Sequence, residues 1–202
     1  MRERAAEFAA RAVVAGLYAQ FSIKLFGDFL RTNNITTLLL LVSELLVVVF
    51  TIVRRRAQVV DRSWTTRIVT SLALVCPALL RPTDNGALVP DAVSAVILAL
   101  GAGVVIAAKM TLGRSFGIAP ANRGIVATGP YLFVRHPIYA GYLVTHMAFL
   151  AAHATMWNAV VLIVSDTCLI IRASFEERIL LNDAQYQQYC HRVSWRLLPG
   201  VY

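Results

Sequence analysis

Apolar residues in this chain come in long blocks, separated by short breaks rich in arginine or containing proline. That spacing predicts membrane-embedded helices, since a helix needs about 20 mostly apolar residues to cross a bilayer. Residues 35–53 form the cleanest block, with one charge, Glu44. Residues 12–30 form a weaker one carrying Lys24 and Asp28, and residues 64–80 a shorter one with Pro77 near its end. Residues 88–110 form a fourth, starting at a Pro-Asp step. Two more blocks, 138–152 and 157–171, are split by the polar break 153–156, and read either as a tight helical hairpin or as one bent helix. The expected fold class is all-α: a polytopic integral membrane helical bundle with five or six membrane-embedded helices. Residues 1–110 supply the N-terminal transmembrane helices, and residues 111–202 form a C-terminal region of different character.

Composition supports this. The 202 residues are 58% hydrophobic and only 15% charged, against about 25% charge in a typical soluble domain. So little charge cannot cover a water-soluble surface, and so apolar a chain is not disordered. The net charge of +8 is explained without nucleic acid, because lysine and arginine collect in cytoplasmic loops of membrane proteins. Arg54, Arg55, Arg56, Arg62 and Arg67 crowd one connection; Lys109, Arg114, Arg123 and Arg135 lie at and beyond the end of the fourth block. Arg172, Arg178, Arg192 and Arg196 lie in the C-terminal segment, and Arg2 and Arg4 start the chain. The other side carries Arg31 and Arg81. With six elements all the rich segments fall on one side, which predicts an integral membrane protein with both termini cytoplasmic. Residues 1–7 alternate charges, and Arg11 and Lys24 interrupt the first apolar block, so no signal peptide is expected. Cys76, Cys168 and Cys190 form no CxxC and are expected to be buried small apolar residues. Ala99, Gly103 and Ala107 make a small-residue stripe expected to admit a neighbouring helix closely. Glu44 and Asp166 are expected to face the interior or water and to be hydrogen-bonded there.

The candidate chemistry lies in the long connection of residues 111–137 and in the last segment. Connections of that length are uncommon and usually functional. The sequence contains no GxGxxG, Walker A, HExxH or GxSxG pattern, so a nucleotide fold, a metal site and a serine hydrolase are unsupported. What remains is a constellation. Gly129-Pro130-Tyr131 signals a turn, and Arg135-His136-Pro137 precedes an apolar helix beginning Ile138-Tyr139. Proline suits the first turn of a helix, whose free N–H groups could hold a carboxylate. Tyr131 and Tyr139 can offer aromatic faces to a cation or a base. Arg172 and Glu176 are four apart and share one helix face, while Glu177 is expected to point elsewhere. Each of these also has a plain structural reading, as interfacial anchors or a surface ion pair.

Together, however, GPY, RHPxYxG, the Glu176-Glu177 pair and the tail pattern YxxYxxxVxxRxxPG resemble the isoprenylcysteine carboxyl methyltransferase family, membrane methyltransferases related to phospholipid N-methyltransferases. The resemblance covers roughly residues 116–201. It implies S-adenosyl-L-methionine as cofactor, enclosed at the cytoplasmic membrane edge in a C-terminal cofactor-binding, catalytic region. It also implies a lipophilic small-molecule or prenylated substrate arriving from the membrane lipids. Carried over by motif, Arg123, Gly124, Ile125, Val126 and Tyr131 line the cofactor pocket from the connection, and His136, Pro137, Ile138 and Tyr139 line it from the helix start. Residues 117–122 belong there too, in an uncertain register. Glu176 corresponds to the cofactor-binding acid and Arg172 to the substrate-contacting arginine, together the catalytic pair. The implied activity is methyl transfer, with carboxyl O-methylation of isoprenylcysteine-like substrates first, and phospholipid or small-molecule N- or S-methylation as the rival. A non-catalytic lipid-binding or transport bundle would leave the RHP helix start unexplained. An arginine beside the acceptor suits a carboxylate better than an amine that must lose a proton.

Overall fold

The computed structural model describes residues 2–33, 35–61, 63–83 and 86–201, and for residues 2–10, 32 and 36 the backbone alone. Arg62, counted above among the cationic loop residues, lies outside the described residues, as do the side chains of Arg2 and Arg4. Among the described residues there are seven α-helices: α1 (Arg2–Thr32), α2 (Ile35–Val53), α3 (Trp64–Val75), α4 (Asp91–Leu112), α5 (Pro137–Ala152), α6 (Met156–Leu180) and α7 (Ala184–Arg192). Their ends follow local rules. Ser63 and Thr155 cap α3 and α6 by accepting from Thr66 N and Asn158 N. Pro90 precedes α4, whose first turn carries Asp91. Gly113, at φ 50°, ends α4 in a conformation that favours glycine.

Among the described residues, the stretches Arg11–Arg31, Asp91–Ser115 and Met156–Leu180 are long and apolar enough to cross a membrane, by length and composition. Thr37–Val53, Trp64–Leu79 and Pro137–Ala152 are shorter apolar helical stretches. The last two apolar blocks are separate helices, and α6 runs on to Leu180, nine residues past the expected end at Ile171. That extension keeps Arg172, Glu176 and Glu177 on a continuous helix.

The predicted small-residue stripe is not the packing seam. Gly103 and Ala107 are turned away from it, and a Cβ on Gly103 would meet nothing within 4 Å. The close crossing is α4 on α5 through Gly101 and Gly141. A Cβ on Gly141 would come within 2.6 Å of Val105 Cγ2 and 2.9 Å of Gly101 O. Three- and four-residue spacing then buries Gly101, Ala102, Val105, Ala108 and Lys109 on one face of α4. Lys109 is fully buried and donates from Nζ to Ser43 O at 3.0 Å and Ser43 Oγ at 2.8 Å. Asp166 pairs with His146 across α5 and α6 at 2.6 Å, a structural hydrogen bond as expected. Cys76 and Cys168 are buried free thiols, and Cys190 is half-buried.

The long connection is anchored rather than loose. Its short strand β2 (Ala121–Asn122) pairs antiparallel with β1 (Val59–Val60), so the arginine-rich segment after α2 folds back over it. Arg55 N donates to Arg114 O at 2.7 Å, and Arg114 Nε to Val53 O at 3.1 Å.

Candidate active site

The connection, the start of α5, the last turns of α6 and the face of α7 enclose one cleft. It holds about 980 Å³ of space between its walls, its open mouth included. Of the residues expected there, Arg123, Gly124, Ile125, Val126, Tyr131, His136, Ile138, Tyr139, Arg172 and Glu176 line it. Gly117, Ile118, Ala119 and Ala121 line it from the residues of uncertain register.

Pro137 departs from the expectation. It is buried at the first position of α5 and is not among the lining residues. Its fixed φ starts the helix, and its neighbours on either side reach the cleft. The chain's own tail meets the residues just before this helix start, with His136 N donating to Arg196 O at 2.8 Å and Arg135 N to Trp195 O at 2.9 Å.

The two glutamates divide sharply. Glu176 faces the cleft, 3.4 Å by Oε1 from Arg172 Nε on the preceding turn, and accepts a hydrogen bond from the Tyr139 hydroxyl. Its other oxygen lies 3.7 Å from His136 Nδ1. Glu177, about 100° round the helix, faces away from the cleft but not into solvent. It is 3% exposed, and it meets Arg135 Nε at 3.2 Å, His136 Nε2 at 3.3 Å and Arg196 Nε at 2.8 Å. Sequence reasoning missed it because the histidine and the tail arginine that meet it lie 41 and 19 positions away along the chain, where no local spacing rule operates.

Arg172 is 6% exposed. Its guanidinium carbon sits 5.2 Å over the Tyr139 ring, and one terminal nitrogen donates to Ile118 O at 2.5 Å. Its Nε makes no aligned hydrogen bond. Burying a guanidinium is costly unless its donors are met, and this one is left short of an acceptor. Burial raises the Tyr131 phenol above its ordinary value, and the Glu176 charge adds to that. Tyr131 is therefore a neutral hydroxyl at physiological pH. Tyr189 fixes the turn that carries it by donating to Tyr131 O at 2.6 Å. Gly124, at φ 100°, reverses the chain beneath Ser115 and Arg55 where a side chain would be strained. The Arg123 guanidinium lies against Gly117, where a Cβ would collide with it.

Several lining residues were not assigned to the pocket in the sequence reading. Tyr142 is three positions after Tyr139, a spacing that places both on one face of α5. Tyr186 and Tyr189 share a face of α7 by the same rule. Tyr18 comes from α1, with no sequence signal linking it to the rest.

The donor set suits a nucleoside-sized cation with hydroxyl and ammonium groups: one carboxylate, several neutral phenols, aromatic faces and the backbone groups of residues 117–126. Among the described residues no group of three or more His, Cys, Asp or Glu could hold a metal ion. Comparison with known families agrees with this chemistry. Residues 92–188 match the family model described as phospholipid methyltransferase. That match runs from the first turn of α4 into α7, so it takes in one helix before the connection as well as the motifs. No curated protein matches the chain.

Proposed function

We propose, from the match of residues 92–188 to the phospholipid methyltransferase family model, a family of membrane methyltransferases related to isoprenylcysteine carboxyl methyltransferases, that this chain moves a methyl group from S-adenosylmethionine to a lipophilic acceptor at the cleft. Families of this type typically use that cofactor. The observation that carries the reading is the Arg172–Glu176 pair, set on one turn of α6 in the wall of the same cleft as the RHP helix start.

When bound, S-adenosylmethionine supplies a methyl group on a sulfonium centre, open to in-line attack. Glu176 accepts from hydroxyl or ammonium groups, and the faces of Tyr131 and Tyr139 border positive charge. Arg172 holds an acceptor carboxylate in line. Orientation rather than proton transfer is then the protein's main contribution, since a carboxylate needs no general base. Keeping water out strengthens every charge interaction in the cleft.

Arg172 favours carboxyl O-methylation of isoprenylcysteine-like acceptors. The matched family's description and the exposed edge of Glu176, which could hold an ammonium, favour a second reading, phospholipid or small-molecule N- or S-methylation. Methyl transfer from labelled S-adenosylmethionine to prenylcysteine carboxylates, lipid amines and thiols separates them. Label in the carboxylates supports the first reading, and label in the amines or thiols alone overturns it. Calorimetry with S-adenosylhomocysteine tests the cofactor itself, and absence of binding at millimolar concentration would favour a non-catalytic lipid-binding or transport bundle. The proposed sidedness, with both termini and the cleft cytoplasmic, is tested at exposed Arg56. A cysteine there should resist impermeant reagents on sealed cells, and efficient external labelling would reverse the orientation.

A further inference from the structure

The His136 ring stands between two carboxylates, and they are not equivalent. Its Nε2 lies 3.3 Å from Glu177 Oε1, and its Nδ1 lies 3.7 Å from Glu176 Oε2, too far for a hydrogen bond. A carboxylate accepts and does not donate, so the Nε2 contact requires a proton on Nε2. The groups facing this cluster come from four elements. Arg135 precedes α5, Arg172 and the two glutamates lie on α6, Tyr186 approaches from α7 with its hydroxyl 3.5 Å from Glu177 Oε1, and Arg196 comes from the tail. Tyr139 stacks on the ring, centroids 5.4 Å apart and planes 4° from parallel. Three guanidinium groups and two carboxylates are the charged groups around the ring.

We propose that Glu177 is a positioning residue. By holding the Nε2–H tautomer of His136 it leaves the Nδ1 lone pair beside Glu176 at the cleft, where the two acceptors together receive an N–H or O–H donor of the bound ligand. The orienting group of a histidine sets which nitrogen is free to act, and Glu177 does this from outside the cleft, since His136 lines it and Glu177 does not. The same carboxylate ties down the tail through Arg196 at 2.8 Å. The inference rests on the methyltransferase reading only for the identity of the ligand.

The test is ring nitrogen NMR on the full chain, labelled with 15N-histidine, in detergent and without ligand, the His136 signal being identified by its loss in His136→Gln. The wild type should show a neutral ring protonated on Nε2. In Glu177→Gln the ring should move wholly or partly to Nδ1–H, because a glutamine amide can donate to Nε2, and affinity for S-adenosylhomocysteine should fall about tenfold. Arg196→Gln loosens the tail but should keep the Nε2–H form. A wild-type ring protonated on Nδ1, or on both nitrogens at pH 7.5, overturns the proposal even if Glu177→Gln does not fold. An unchanged tautomer in a folded Glu177→Gln overturns it as well. If the wild type has the Nε2–H ring but binds no S-adenosylhomocysteine, the methyltransferase reading fails and the role of Glu177 in fixing the ring stands.

Discussion

The two ends of the bundle are both tied together by buried polar groups, yet they are built to opposite purposes. At the end carrying Arg81, Asn158 is fully buried and its amide is used up. Oδ1 accepts from Arg81 N at 3.0 Å, and Nδ2 donates to Arg81 O at 2.9 Å and His153 O at 2.8 Å. Trp157 donates to Leu79 O, Leu88 N donates to Ala151 O, and Gly86 packs so tightly that a Cβ would come within 2.8 Å of Ala154 O. At the other end the polar groups surround a cleft, and Arg172 Nε is buried without an aligned hydrogen-bond partner. Saturation is what separates a clasp from a site. Buried polar groups that satisfy each other add rigidity, whereas groups left short of partners around open space await a ligand.

The comparison predicts that mutations at the cleft cost function and mutations at the clasp cost stability. The largest effect is expected at Arg172. Arg172→Ala should lower turnover by about 100-fold or more, as loss of substrate orientation does, while affinity for S-adenosylhomocysteine stays near that of the wild type. Arg172→Lys should rescue only part, since a point charge does not reproduce a planar fork. Initial rates and calorimetry on the same preparations check both. Glu176→Ala should weaken cofactor binding about tenfold, equivalent to about 1.4 kcal/mol, with a smaller change in melting temperature than any clasp mutant. Wild-type rates and affinities in both variants would reduce the pair to an ion pair of structural use only.

Asn158→Leu should do the reverse. It leaves three backbone partners unmet and should cost about 2–4 kcal/mol, read as a lower melting temperature in detergent with cofactor affinity unchanged. Loss of affinity in step with stability would show that the two ends are not independent. Gly141→Ala lies between the ends at the α4–α5 crossing and should cost about 1–3 kcal/mol by overpacking. The smallest effect is expected from Asp183, a half-buried link that accepts from Asn122 Nδ2 at 2.8 Å and so ties the connection to the start of α7. That hydrogen bond, followed by one from the Gln185 backbone, holds its carboxyl below the ordinary value of 3.8. A depressed folded-state value means the contribution is present above the unfolded value and is lost as pH falls through the folded one. Asp183→Asn should therefore change cofactor affinity by no more than about threefold at pH 7, and its difference from the wild type should vanish in acid.

The sequence by itself determined the helical, apolar character of the chain, because blocks of apolar residues near membrane length have few other solutions. It also picked out residues of the C-terminal half that the fold brings to one cleft. Arg172 and Glu176 were legible as a pair because helical spacing is a local rule, and Tyr142 was available from the same rule. Everything beyond local rules was left to the tertiary structure. Gly101 rather than Gly103 makes the close crossing, because which face of an almost wholly apolar helix turns inward depends on the neighbour and not on its own pattern. The tail docks just ahead of α5, because two segments 60 residues apart meet there by backbone hydrogen bonds that almost any sequence can make. Glu177, one residue from the pocket acid and indistinguishable from it in composition, became the buried centre of a charge cluster only when α5, α6 and the tail came together. A rotation of about 100° on a helix costs nothing in sequence, yet it decides whether a carboxylate meets the ligand or meets the residues that hold the site in shape.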